Sequence, residues 1–498
     1  MDFNRRTFLQ GAASTAALAK LPRRQRKRPN FLILYPDQWR YDWMEGTPGL
    51  SIHLPNIERI AKTGVRFATA VVASPLCAPS RACLASGKEY DDCRTPGTPY
   101  DYPLDQVTYY KLLRDSGYHV LGCGKIDLHK GTLDWGPDGK RCLPEWGFSD
   151  GIDNEGKMDA VWSSRDRHIF GPYMTFLKKE GLAKTHVDDL VKRYKQGYSA
   201  TYPTPLPDRA YCDNWIAGNA LGLLKAAPKN KPWHLVVNFT GPHDPEDITE
   251  RMEKACRSTH VPQPHGSTQY DSTTHTLIRQ NYTAMCENID AQIGLVLAEV
   301  EKRGELDNTV IIFSSDHGEM LGDHDRWAKS VPYEASSHVP LVVAGPGVRR
   351  GRVSHALINH IDIGATILDY AGVKDVPSLP RKSFRDVLEG KTEKHRDVVR
   401  SGLGSWRMVR DERYKLIAGF DPKIGIHTQG GHDANSKPTN AQGLREARKR
   451  PLILFDLKND PLEQNNIAEE NAAICKRLSE HLPPITESSE STAAPTIS

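Results

Sequence analysis

Val310-Ile311-Ile312-Phe313 runs directly into Ser314-Ser315-Asp316-His317-Gly318-Glu319, and a long helical pattern precedes it, from about Tyr282 to Arg303. In that pattern Met285, Ile289, Ile293, Val296, Leu297 and Val300 recur at helical spacing. A short apolar run bounded by polar residues reads as a strand buried on both faces, the form strands take in parallel sheets. The same unit recurs along the chain. Phe31-Leu32-Ile33-Leu34-Tyr35 is stopped by Pro36 and followed by Asp37-Gln38, and Leu54 to Gly64 then reads as a helix with Ile57, Ile60 and Ala61 on one side. Asp105–Asp115 reads as a helix closed by Gly117 and followed by a strand at Tyr118–Leu121, and His234–Phe239 is a further strand. This alternation predicts an α/β fold: a large, mostly parallel sheet sandwiched by helices.

From about His395 the rhythm changes. Val398–Arg400, Trp406–Arg410, Tyr414–Ile417 and Leu452–Leu457 read as short strands, with a tight hairpin at Asp411-Glu412 and a terminal helix near Ala468–Leu482. They predict a smaller C-terminal antiparallel α+β subdomain. The expected divisions are 1–29, 30–394, 395–482 and a tail at 483–498. The stretches 150–215 and 419–450 have weak periodicity and read as long loops and insertions.

Composition narrows the function classes. The chain has 498 residues, mean hydropathy −0.55 and no apolar stretch near twenty residues, so no integral membrane span is expected. Its net charge of +4 is local. Residues 1–29 hold eight Lys/Arg and one acid, which leaves the rest near −3 and gives no support for a nucleic-acid-binding body. Asn4-Arg5-Arg6-Thr7-Phe8-Leu9-Gln10, followed by small apolar residues ending in Ala17-Leu18-Ala19, reads as a twin-arginine export signal to the periplasm or beyond. A basic arm is the alternative. Nine cysteines in so long a chain form no disulfide scaffold or zinc template, which leaves room for one or two bridges.

The chemistry-bearing residues follow the strands, where open α/β sheets place their ligands. The carboxylates of Asp37 and Asp316, the amide oxygen of Gln38 and the imidazole of His317 could together hold one divalent cation, and the oxygen majority favours Ca²⁺ or Mg²⁺ over zinc. Taken singly, an Asp after a strand also serves as a helix cap. Cys77-Ala78-Pro79-Ser80-Arg81 places a thiol beside an arginine at the start of a helix near Ala82–Ser86, a setting that depresses a thiol pKa and binds anions. Lys125, His129, His243 and Lys329 add cationic or proton-bearing groups. Around a metal they would make a pocket for a tetrahedral oxyanion ester; separately, each is an ordinary surface charge or a satisfied histidine.

In one consistent order, about residues 29–480 resemble a type I sulfatase of the alkaline phosphatase superfamily. The resemblance rests on Cys77, Pro79, Ser80 and Arg81 with Gly87, on Asp37-Gln38, Gly124-Lys125 and Pro242-His243, and on Ser315-Asp316-His317-Gly318. Gly322-Asp323-His324 with Trp327-x-Lys329 and Phe455-Asp456-Leu457 with Asp460-Pro461-x-Glu463 extend it.

It implies that a maturase oxidises Cys77 to formylglycine. One oxygen of the hydrated aldehyde would attack sulfur, and the other would then expel sulfate. It also implies that Asp37, Gln38, Asp316, His317 and residue 77 bind the metal, usually Ca²⁺, with Mg²⁺ or Mn²⁺ as alternatives. Arg81 would hold the diol, Lys125 and Lys329 the sulfate oxygens, and His243 the leaving oxygen. Two positions depart from the family pattern. Many relatives carry Asp where this chain has Gln38. The family's usual Gly-Lys-x-His becomes Gly124-Lys125-Ile126-Asp127, so either His129 or Asp127 takes the histidine's role.

The implied substrate is a sulfated carbohydrate or another sulfate monoester. The competing readings are a phosphonate monoester or phosphodiester hydrolase and a non-catalytic binder of sulfated glycans. Arg165, Arg167, His168, His427 and His432, in the two inserted stretches, are candidate contacts for an anionic glycan.

Overall fold

The computed structural model describes residues 28–374, 376–425 and 434–485; the export-signal reading, His427, His432 and most of the expected tail fall outside them. Among the described residues, ten strands come before residue 360: β1 Asn30–Leu34, β2 Gly64–Phe67, β3 Ala70–Val71, β4 His119–Gly124, β5 Asp150–Asp153, β6 Trp233–Asn238, β7 Thr309–Phe313, β8 Leu341–Ala344, β9 Arg352–Ser354 and β10 Ile358–Asn359. Eight of them form one sheet in the order β5-β4-β6-β1-β7-β8-β2-β9, and β3 pairs with β10 separately. Only β8 runs against its neighbours β7 and β2; the other pairings are parallel.

Alternation along the strands builds both faces. In β1, Phe31 and Ile33 enter one apolar cluster, and Leu32 and Leu34 enter the other. In β7, Val310 and Ile312 face the first cluster and Ile311 and Phe313 the second. The second face is covered by the helices Pro55–Thr63, Cys212–Ala226 and Ser272–Lys302. The first is covered by Cys77–Ser86, Tyr109–Asp115 and Asp362–Tyr370.

The C-terminal strands β11 Val399–Leu403, β12 Trp406–Arg410, β13 Tyr414–Ala418 and β14 Ile453–Asp456 form an antiparallel sheet in sequence order. It shares the first core through Leu403, Trp406, Met408, Ile417 and Phe455. The helix Ala472–Ser479 packs on its other side through Cys475 and Leu478.

Several boundaries differ from the sequence reading. The helix expected from Asp105 begins at Tyr109, because the Thr108 hydroxyl accepts the Lys111 N–H and fixes the start there. The long helix begins ten residues before Tyr282, at Ser272, capped by Asp271 on Thr274. The stretch 150–215 is not mainly loop. It forms helices at Lys157–Asp166, Pro172–Lys179 and Ala183–Gln196, and the last buries His186, Asp189 and Arg193 beside Leu190. Its Ala183, Val187, Leu190 and Tyr194 do lie at helical spacing, a signal passed over among the many charged residues of this stretch. All nine cysteines are free thiols, so the structure holds no disulfide bridge.

A buried charge network ties the C-terminal sheet to the large one. Lys415 on β13 donates to Glu463 and the Pro332 carbonyl at 2.6 and 2.9 Å, and its Nζ lies 2.6 Å from Glu334. Glu334 also accepts from Arg410 and is paired with His338 at 2.9 Å. Burial opposes the charge on Glu334, but Arg410 and Lys415 outweigh it and hold the carboxyl well below its ordinary value. Removing one partner of such a network leaves buried charge uncompensated, at a cost of about 3–5 kcal/mol. Glu334→Ala is therefore expected to lose about that much stability, measured by urea unfolding at pH 7.

Candidate active site

Strands β4, β6, β1 and β7 are neighbours, so the segments leaving their C-terminal ends converge on one edge. Asp37-Gln38 leave β1, Asp316-His317 leave β7, Lys125 leaves β4, and His243 lies beyond β6. Gly124 takes φ +96° where any Cβ would lie 1.9 Å from the Asn238 carbonyl oxygen, so only glycine lets Lys125 turn into the site here. Asp213, in the first turn of the helix Cys212–Ala226, accepts from the Thr240 and Gly241 N–H groups at 2.8 and 3.0 Å and anchors the segment that carries His243.

Cys77 opens the helix Cys77–Ser86 and is 2% exposed. Its Sγ lies 3.2 Å from His317 Nε2 and 3.8 Å from Asp37 Oδ1. Burial and Asp37 push this thiol up, but Lys125, Lys329 and His317 prevail and hold it well below the ordinary value. One atom each from Asp37, Cys77, Asp316 and His317 lies within 4.8 Å of the others, and all four residues are buried. His317 Nδ1 lies 3.0 Å from the Gly318 carbonyl and donates to it, so Nε2 is the ring nitrogen that faces the cluster. Two carboxylates, an imidazole lone pair and a residue 77 donor suit a divalent cation.

The surrounding cations are buried too. Arg81 donates through Nε to Asp316 Oδ2 at 2.9 Å and through Nη1 to Asn238 Oδ1 and the Lys125 carbonyl at 2.9 and 2.5 Å. Lys125 Nζ donates to Asp37 Oδ2 and lies 3.3 Å from Asp127. Burial raises the pKa of Asp37, but Lys125, His243 and Arg81 together carry it well below the carboxylate range. Ser80 donates to the Asp316 carbonyl at 2.5 Å. Its own carbonyl accepts from His360 Nε2 at 2.9 Å, while His360 Nδ1 accepts the Ala73 N–H at 3.0 Å. Burial pushes His360 down to about 4, in keeping with this neutral ring.

Lys329 donates to Gln38 Oε1 at 2.5 Å and to His243 Nε2 at 2.6 Å. His243 Nδ1 donates to the Asp244 carbonyl at 2.7 Å, which fixes the ring with Nε2 toward the lysine. The Gln38 amide nitrogen bonds Asp244 at 3.1 Å and Glu319, so both ends of that side chain are engaged; its backbone N–H donates to Asp316 at 3.0 Å. Glu319 also accepts the N–H groups of Leu321 and Ala328, at 2.9 and 2.6 Å, and closes the loop that returns Lys329.

His129 is engaged with other partners. Its Nε2 pairs with Asp153 at 2.8 Å, and its ring packs against Trp135 and Trp146. Asp127 takes the place beside Lys125, in the left-handed region at φ +58°, with Oδ2 3.2 Å from Lys130 and Oδ1 without a partner. Among the glycan-contact candidates, exposed Arg165 pairs with Asp166, and Arg167 donates to the Thr132 carbonyl at 3.2 Å. The sequence reading did not single out Asn238, Asp213, His360 or Lys130. Only Asn238, a polar residue closing an apolar strand, carried a signal.

The sulfatase family profile matches residues 29–373. The chain belongs to the sulfatase family. It is 24% identical to the arylsulfatase of Clostridium perfringens over 490 residues, covering 88% of this chain and 90% of that one. It is 25% identical to the N-acetylglucosamine-6-O-sulfatase of Bacteroides thetaiotaomicron, covering 92% and 85%. The phosphonate monoester hydrolase of Agrobacterium radiobacter superposes with a TM-score of 0.70 at 21% identity, covering 91% of this chain and 94% of that one. This sulfatase is thus a sulfuric ester hydrolase with a large, mostly parallel sheet flanked by helices, and its buried Asp37, Cys77, Asp316 and His317 could hold a metal. Among the described residues no helix is long and apolar enough to cross a membrane.

A cation held by these residues should stabilise the fold by mass action, by about 2.7 kcal/mol at a hundredfold excess over Kd. Millimolar Ca²⁺ is expected to raise the Tm of the chelator-treated protein by several degrees in differential scanning fluorimetry. Asp316→Asn should remove most of that shift.

Proposed function

We propose that this sulfatase hydrolyses the sulfate ester of a carbohydrate alcohol through a formylglycine at position 77, with one divalent cation held by Asp37, Asp316, His317 and residue 77. The observation that carries this reading is the convergence of four buried donor groups with Arg81, Lys125, Lys329 and His243 on one sheet edge. The cation, Ca²⁺ before Mg²⁺ or Mn²⁺ on its oxygen-rich donors, would stabilise negative charge on the nucleophile and on the sulfate. The residue 77 aldehyde, once hydrated, supplies one oxygen to attack sulfur and a second to release sulfate.

The protein's own groups have separable tasks in this reading. Arg81 clamps residue 77 against Asp316. Lys125 and Lys329 face the sulfate oxygens and offset their charge. His243 is the partly exposed member of the set, which puts it on the leaving-group side, and its Nε2 shares a proton with Lys329. Gln38 is read as a neutral brace for Lys329, since both ends of its amide are already engaged. Asp127, beside Lys125, is read as the carboxylate in the departed histidine's place, and His129 as structural.

Cys77 is too deeply buried for an enzyme to reach in the folded chain, which supports maturation before folding. The Arg5-Arg6 leader supports export of the folded product by the twin-arginine route, to the periplasm or the medium. Residues 30–394 are proposed as the catalytic domain and 395–482 as its C-terminal subdomain.

The test begins with the mass of the tryptic peptide Phe67–Arg81 from protein coexpressed with a formylglycine-generating maturase. Aldehyde at position 77 is expected, with Cys77→Ala lowering turnover at least a thousandfold. An intact thiol despite an active maturase overturns the reading. Rates on an aryl sulfate and an aryl phosphodiester decide between sulfatase and phosphodiesterase chemistry; the sulfate is expected to be the faster.

A further inference from the structure

A small niche lies beside the His243 segment, lined in part by Met158, Tyr194, Tyr198, Asp244 and Glu246, with room of about 20 Å³. That space admits one water-sized group and no more. Glu246 is 2% exposed, and its Oε1 has no hydrogen-bond partner. An unpaired buried polar atom costs about 1–3 kcal/mol, so its retention calls for a partner the protein itself does not supply. Burial raises Glu246, and the nearby Asp244 and Glu319 raise it further, well above the carboxylate range; a neutral carboxyl can both donate and accept.

The niche is not built for an anion. Its one guanidinium, Arg193, is fully buried and committed to Asp189 at 2.9 Å and to the Ala200 and Tyr202 carbonyls at 2.8 and 2.7 Å. The chain around Glu246 is held rigidly. Asn281 donates to the Glu246 carbonyl at 2.7 Å, and Tyr211 to the Asp247 carbonyl at 3.0 Å. Lys157 donates to the Pro245 carbonyl at 3.0 Å. At the mouth, Tyr194 is half exposed, with Trp162 packed edge-on at 5.3 Å. An exposed aromatic ring beside a single hydrogen-bonding niche suits a ring that carries hydroxyls.

We propose that Glu246 is a specificity-determining residue on the leaving-group side, receiving one hydroxyl of a polyhydroxylated alcohol whose ring lies against Tyr194. This rests on the reading of the site as a carbohydrate sulfatase. Alcohols without that hydroxyl leave the carboxyl unpaired and are discriminated against.

The experiment compares kcat/KM on 4-nitrophenyl sulfate, which has no ring hydroxyl, with the best substrate in a panel of monosaccharide sulfates, using the matured, metal-loaded enzyme. Glu246→Ala is expected to lower the sugar-to-aryl ratio of kcat/KM about tenfold to a hundredfold. Glu246→Gln, which keeps a donor and an acceptor, should restore the ratio to within about threefold of wild type. Tyr194→Ala, a surface change, should raise KM for the sugar sulfate more than it lowers kcat. A ratio unmoved by Glu246→Ala, or a glutamine variant as impaired as the alanine one, overturns the assignment. Hydrolysis of the aryl sulfate but of no sugar sulfate also overturns it while leaving sulfatase chemistry intact. Inactivity on every sulfate ester instead overturns the functional reading beneath it.

Discussion

Crowding of negative charge in a dry site is the constraint from which the rest of this architecture follows. Asp37 and Asp316 share one small cluster with Cys77 and His317, and all four are buried. Two like charges about 4 Å apart repel by about 4 kcal/mol at an effective dielectric of 20. The cluster is tolerable only if cations are delivered to it and held there. Arg81 and Lys125 do this from within the protein, bonded to Asp316 and Asp37. A divalent ion would complete the compensation. Each cation comes from a different segment, so the charge balance is a tertiary property that no local stretch of chain possesses alone.

The parallel sheet solves the delivery problem. Four adjacent strands end at the same edge, and each hands over to a short, constrained segment: a left-handed Gln38 after β1, a glycine-enforced turn before Lys125, an Asp213-anchored segment before His243, and the Glu319-closed loop before Lys329. Gln38, Leu321, Ala328 and Ser330 all take left-handed backbone within these connections, as expected where side-chain aim outweighs local conformational preference. Glu319 and Asp213 touch no proposed reacting atom. They fix the segments that do.

This division also explains what could be read from the sequence. The strands were legible because Phe31–Tyr35 and Val310–Phe313 are buried on both faces and therefore continuously apolar, and Asp37 and Asp316 stand out as the first charges after them. Cys77 and Arg81 were legible as a spaced motif. The helix Ala183–Gln196 was passed over although Ala183, Val187, Leu190 and Tyr194 keep helical spacing, because its many charged residues, including the buried Asp189 and Arg193, lower the mean hydropathy of the stretch. The placing of His129 was equally hidden. Its partner Asp153 lies on a neighbouring strand, and the two-residue offset from the family spacing says nothing about which way the ring turns. The place of Gln38 after β1 was legible; its contacts with Lys329, Asp244 and Glu319, which come from three separate segments, were not.

The C-terminal sheet belongs to the same argument. Trp406 on β12 donates its indole N–H to the Ser330 carbonyl at 3.1 Å, directly after Lys329, and Lys415 on β13 holds the Pro332 carbonyl two residues further on. The loop that carries Lys329 is thus pinned by Glu319 on the active-site side and by the antiparallel sheet on the other. Ala328 and Ser330 flank the lysine at φ +58° and +78°, conformations that cost non-glycine residues energy and persist only under such restraint. Held this way, the ammonium can face a sulfate oxygen without first giving up rotational freedom, so its electrostatic contribution is not eroded by reorganisation. On the proposed role of Lys329, the small sheet would act on catalysis through the position of that one lysine, and the buried Glu334–Lys415–Glu463 network that docks it would be part of the site's support.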